Sequence, residues 1–133
     1  RDVQHIHAFA AGLPGHSGDL ERLIDVKLAA YIRNADLALA VQAQLAARDY
    51  ARERQAMAEV MLRLAQADIA AGRLRPDCSV DTFVVMQQAM DGAMRGTAGR
   101  AERAERARLF LSLVMGGLRH RPVEQDSSSS SEL

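Results

Sequence analysis

The feature that most constrains this chain is a helical segment that is apolar on two sides. Between Ser79 and Gly96 the sequence reads SVDTFVVMQQAMDGAMRG. Phe83, Met86, Met90 and Met94 recur at three and four residues, the spacing that stacks side chains on one face of an α-helix. Val85, Ala89, Gly92 and Gly96 make a second stripe, small and apolar, and leave Gln87, Gln88, Asp91 and Arg95 for the remainder. A helix on the outside of a monomer keeps one side polar. This one needs cover twice.

The final segment, AERAERARLFLSLVMGGLR, poses the same problem. Its first half is charged and reads as a solvated helix start with internal ion pairs. Its second half carries Leu109, Phe110, Leu111, Leu113, Val114, Met115 and Leu118 nearly all round, interrupted by Gly116 and Gly117. Glycine inside a helix costs about 1 kcal/mol relative to alanine, and close approach of another helix offsets that cost. The economical arrangement turns one stripe to the domain's own core. The other packs on the same two helices of a second subunit through a two-fold interface. Val85, Ala89, Gly92, Leu109, Leu113 and Gly116 are the residues assigned to that interface. The competing arrangement buries both stripes inside a monomer, and so few helices offer little bulk to do it.

The rest of the chain is helical by pattern. Val3 to Ala11 forms a short helix, broken by GLPGHSG. Ser17 or Asp19 can cap the next helix, whose core face is Leu20, Leu23, Ile24, Leu28 and Tyr31. A further alanine-rich segment follows, with Asp36 as cap, then Leu37, Val41, Gln44 and Leu45, and reaches about Ala47. A long helix runs from Asp49 to Ala71, ended by Gly72 in a left-handed conformation and by Pro76. Ser79 caps the two-sided helix. The fold class is therefore all-α, a bundle of about six helices whose last two form a dimeric four-helix bundle. Residues 1–18 read as the end of a connecting helix and a loop, 19–121 as the functional domain, and 122–133 (VEQDSSSSSEL from Val123) as a disordered tail. The opening on Arg1 instead of Met suggests a fragment of a longer protein.

Composition narrows the function. Aromatic residues are 4% of the 133, against the β-branched and aromatic runs of a sandwich or barrel. Net charge is zero, so the chain lacks the overall basic footprint of phosphate-backbone binding. No run approaches a membrane span. Cys78 is the only cysteine, which excludes an intrachain disulfide and a cysteine-built zinc cage and fits a cytoplasmic setting. His5 and His7 are two apart and point to different sides of a helix, so they do not form a metal pair. Neither a phosphate loop nor a nucleophile turn occurs. These absences weigh against an enzyme, and no catalytic residue, metal or cofactor is expected.

Methionines suggest a different use. Met57 and Met61 on the long helix add to Met86 and Met90, and unbranched, polarizable side chains repack around guests of varied shape. Plain core filling explains the same residues. A deformable apolar cavity between these helices would have walls from Ile24, Leu28, Met57, Met61, Leu64, Phe83, Met86 and Met90. Tyr31, Gln66, Gln87 and Asp91 are candidates for its polar groups, with solvated positions as the alternative for each.

The run MAEVMLRLAQADIAAGRLRPDCSVDTFVVMQQAMDGAMRG, followed by RAERARLFLSLVMGGLR, resembles the C-terminal half of TetR-type transcriptional repressors. The motifs are the turn Ala71-Gly72-Arg73-Leu74-Arg75-Pro76-Asp77, the pair Asp91-Gly92, and Gly117-Leu118-Arg119. The resemblance extends from Asp19 to Arg119 in helix order and is sharpest from Met57. It implies a homodimeric regulatory domain binding a hydrophobic small-molecule effector. It also implies that operator DNA is held only through an N-terminal helix-turn-helix absent from this chain, and that effector binding releases the DNA. A helical dimerisation or interaction module with no ligand fits the same residues. An enclosed cavity with convergent polar groups would separate the two readings.

Overall fold

A computed structural model describes residues 2–34 and 47–119, and those residues fold into five α-helices. They are α1 (Asp2–Gly12), α2 (Asp19–Arg33), α3 (Ala47–Ala70), α4 (Val80–Met94) and α5 (Arg100–Leu118). The all-α expectation holds. Among the described residues no strand forms, only an isolated antiparallel bridge between Leu74 and Arg119. The helix expected from Leu37 to about Ala47 lies outside the described residues up to residue 46, as do its cap Asp36 and the tail 122–133.

The helix ends follow local chemistry. At the end of α3, Gly72 sits at φ +77°, a left-handed conformation that glycine adopts without a Cβ clash. Gly72 N–H donates to the Ile69 carbonyl at 3.0 Å and Arg73 N–H to the Asp68 carbonyl at 2.8 Å. This reciprocal pair satisfies carbonyls that a helix end otherwise orphans. Ser79 opens α4 through a capping box, its N–H donating to the Thr82 hydroxyl at 3.0 Å.

Two expectations need correction. Neither Ser17 nor Asp19 caps α2. Gly18 occupies that position at φ +86°, with no side-chain cap. Asp19 instead turns back and accepts the N–H groups of Gly15 (3.0 Å) and His16 (2.7 Å), bracing the loop it follows. Gly96 does not continue the small stripe of α4. The helix ends at Met94, and Gly96 lies in the turn beyond it at φ +74°.

α3 and α4 form the most extensive helix pair, α2 packs on both α3 and α5, and α5 closes on α4. α1 lies against α2 and α3 and buries Ile6 and Ala10 in the shared core. The interior of that core is the set of stripes read from sequence. Leu20, Leu23, Ile24, Leu28 and Tyr31 come from α2, Met57, Met61 and Leu64 from α3, and Phe83, Met86, Met90 and Met94 from α4. Burial of such side chains contributes about 1.5–3 kcal/mol each before chain entropy is subtracted.

Candidate functional site

α2, α3 and α4 converge at the end of the bundle where α2 finishes, α3 begins and α4 approaches its last turn. All ten residues expected to bind a ligand are buried there or deeper in the same three-helix core. They are Ile24, Leu28 and Tyr31 from α2, Met57, Met61 and Leu64 from α3, and Phe83, Met86, Gln87 and Met90 from α4. The sequence stripes thus brought together the intended side chains, four of them methionines. Gln66 does not join them. It is exposed on α3.

The polar groups at this end are ordered around one carboxylate. Asp91 of α4 accepts hydrogen bonds from the Tyr31 hydroxyl of α2 and from the Tyr50 hydroxyl of α3, the latter at 3.2 Å. Arg54 of α3 forms an ion pair with the same carboxylate and also donates to the Tyr50 hydroxyl. Its guanidinium lies 4.9 Å from the Tyr50 ring centroid, a cation–π placement. Gln87, one turn before Asp91, donates to the carbonyls of Arg54 (3.0 Å) and Phe83 (3.1 Å). Among the described residues, every buried side-chain nitrogen and oxygen has a hydrogen-bond partner.

Charge at this end is unequal. Burial lifts the Asp91 carboxyl to about 6, against the opposing pull of Lys27 and Arg95. Burial also lowers the Lys27 ammonium to about 8, with Asp91 raising it and Arg54 lowering it further. One acidic group thus faces Lys27, Arg54 and Arg95. Sequence reading found Tyr31 and Asp91 but missed Lys27, Tyr50 and Arg54. The available signal was spacing: Lys27–Tyr31 and Tyr50–Arg54 are both pairs at four residues, which share a helix face.

The six residues assigned to an interface lie away from this core. Val85 and Leu109 are each 61% exposed and Leu113 67%, and these are the exposed large hydrophobic residues of the described structure. Ala89 and Gly92 are exposed and Gly116 is half-buried. A Cβ at Gly92, Gly116 or Gly117 would meet nothing within 4 Å, so nothing inside the protomer requires glycine there by close approach. Val85, Ala89 and Gly92 share the side of α4 that turns away from Phe83, Met90 and Met94, as a period of 3.6 residues demands.

Cys78 is half-buried. Burial and the neighbouring Asp77 charge push its thiol up, while Arg75 acts the other way, and the net direction is opposite to that of an activated nucleophile. Among the described residues no group of three or more His, Cys, Asp or Glu side chains is placed to hold a metal ion, and no helix is long and apolar enough to cross a membrane.

No protein-family model matches the chain, and no curated protein or solved structure matches it.

Proposed function

We propose that this chain is the effector-binding and dimerisation domain of a TetR-like transcriptional regulator, paired through α4 and α5. In this reading a hydrophobic small molecule enters the methionine-rich core between α2, α3 and α4. Occupancy favours one placement of those helices, and so one spacing of two DNA-reading heads that belong to the parent protein. Release of operator DNA is then a population shift between two placements.

The observation that carries the proposal is the location of Val85, Leu109 and Leu113. The exposed large hydrophobics of the described residues fall on the last two helices, beside Ala89, Gly92 and Gly116. Side chains this small leave a flat helix face, and a second copy presents the same flat face in return. A two-fold contact of that kind is self-complementary by construction. It would also offset the helical cost of Gly92 and Gly116.

Sedimentation velocity of the chain at about 10–100 µM tests the pairing. The expected species has twice the mass of the 14.5 kDa chain. A monomer throughout that range removes the interface. A panel of hydrophobic and aromatic small molecules, followed by thermal unfolding, tests the core. A saturable upward shift of several degrees is the expected response of a domain that binds a ligand only when folded.

A second reading, a helical dimerisation module with no ligand, has one observation in its favour. Gln87 and Asp91 already have partners inside the protomer. A dimer whose melting temperature ignores the whole panel would favour that module.

A further inference from the structure

Of the chain's 17 lysine and arginine residues, Lys27 is the only lysine. Arginine serves wherever a described cation pairs with a carboxylate, as at Arg73, Arg75 and Arg108. The exception falls on the inner side of α2. Leu23, Ile24, Ala30 and Tyr31, its neighbours three and four residues away, are all buried. Arg54 of α3 and Asp91 of α4 act on it across the bundle. Lys27 itself is half-buried, so it lines the core without being sealed from solvent. Among the described residues no hydrogen bond or close ion pair ends on its Nζ, and Asp91 and Arg54 reach it through their charge alone.

We propose that Lys27 is a reactive-amine site, which captures an aldehyde carried on an apolar body as an imine. A guanidinium does not do this, because it keeps its proton and has no free lone pair. An ordinary surface ammonium does it slowly, because it too holds its proton. The surroundings of Lys27 lift that restriction. Burial, with Arg54 acting the same way and Asp91 the other, lowers the ammonium from 10.5 to about 8. At about pH 7.5 roughly a quarter of it is then neutral, instead of about one part in a thousand.

The step balances without an oxidant or reductant. The ammonium gives one proton to water. The amine lone pair forms a C–N bond to the carbonyl carbon, and the C=O π pair moves to oxygen. The two remaining N–H protons leave with that oxygen as water, and a C=N bond is left. The apolar body has Ile24 and Leu28 of the same helix beside it, and Met57 and Met90 across the core. This ligand class rests on the reading of that core as a small-molecule site. The reactivity of the amine does not.

The experiment exposes the native chain at about pH 7.5 to acetaldehyde or to octanal and quenches with borohydride at successive times. Fixed adduct, measured by mass spectrometry, gives the initial rate of imine formation. Trypsin does not cut at an alkylated lysine, so residues 23–33 come away as one modified peptide, distinct from the amino terminus. Nα-acetyl-lysine amide in the same tube is the ordinary amine. With acetaldehyde, Lys27 should react roughly tenfold faster than that amine, the larger neutral fraction outweighing its weaker nucleophilicity. The gain should vanish in about 6 M guanidinium chloride. With octanal the advantage over the model amine should grow about fivefold further, from burial of the alkyl chain. Lys27→Arg should take up adduct only at the amino terminus.

Equal rates for Lys27 and the model amine, or a gain that survives denaturant, overturn the site. An advantage no larger for octanal than for acetaldehyde overturns the apolar aldehyde as its ligand. A fast Lys27 that favours octanal supports the proposal even where a panel of non-covalent ligands shifts no melting temperature, so the two readings fail separately.

Discussion

Ser17 and Asp68 stand 51 positions apart in the chain, and the Ser17 hydroxyl donates to the Asp68 carboxylate at 2.7 Å. Gly18 N–H reaches the other oxygen at 3.2 Å, and Arg73 donates to the first at 2.9 Å. A single carboxylate near the end of α3 therefore ties the loop that starts α2 to the turn that ends α3. Its backbone carbonyl meanwhile receives Arg73 and Leu74 in that turn. The long-range contact matters most, because it closes a loop that local propensity alone leaves open.

Asp68 predicts an acid limb of stability. Burial pushes its carboxyl up, but the bonds from Ser17, Arg73 and Gly18 outweigh that and hold it below the usual carboxylate range. A group depressed in the folded state contributes stability above its unfolded value of 3.8, and that contribution is lost as pH falls through the lower folded value. Asp68→Asn should cost about 1–3 kcal/mol in urea unfolding at neutral pH, the worth of hydrogen bonds to a charged group. The gap between variant and native chain should close in acid below the folded value. A gap that stays constant with pH would show that the ionised form carries none of it.

Two glycines should respond to the same substitution with opposite signs. Gly72 is held at φ +77°, so Gly72→Ala forces a left-handed alanine and should lower stability by about 1 kcal/mol. Gly92 has ordinary helical backbone and open space at its Cβ position. Within one protomer, Gly92→Ala should therefore raise stability by about 0.5–1 kcal/mol. Thermal melts of the pair under conditions where only protomers are present check both signs.

Gly92→Leu turns that space into a test of pairing. A Cβ at this exposed position meets nothing within 4 Å in its own protomer, and leucine is a better helix former than glycine. On a face built for close helix approach it blocks the partner. The expected outcome is a folded monomer with undiminished helicity by circular dichroism. A variant that still sediments as a dimer would place the contact elsewhere than on α4.

The core was legible because helical period alone fixes it. Phe83, Met86, Met90 and Met94 repeat at three and four, and all four are buried. Gly72 was legible for the same kind of local reason, a turn that needs positive φ. The second stripe was legible as a problem of cover, and Val85, Leu109 and Leu113 do lie exposed. The polar site was not. Lys27, Tyr50 and Arg54 sit on three turns of two helices, and only the packing of α3 against both α2 and α4 brings them to Asp91. Asp19 misled for a related reason. Its residue type suits a helix cap, but the loop before it offers Gly15 and His16 N–H groups at shorter reach.

The charged start of α5 illustrates how packing sorts residues that look alike in sequence. Arg106 and Arg108 pair with Glu102 and Glu105 within the helix, as the alternating charges suggest. Arg103 does not. Its Nε donates to the Ile32 carbonyl in the last turn of α2, where the helix dipole concentrates negative charge on carbonyls that lack an intrahelical donor. Arg103 thus acts as a C-terminal cap delivered from another helix, and it joins α5 to the α2 end beside the Tyr31–Asp91 contact. Arg103→Ala should cost about 1–2 kcal/mol, from a lost charge-assisted bond and the lost stem packing. Arg108→Ala, which removes an exposed pair, should cost under about 0.5 kcal/mol. Chemical denaturation of the two variants side by side measures the contrast, and raising salt should weaken the small effect more than the large one. Equal losses would mean that Arg103 is as solvated as its neighbours and adds nothing to the hold on the end of α2.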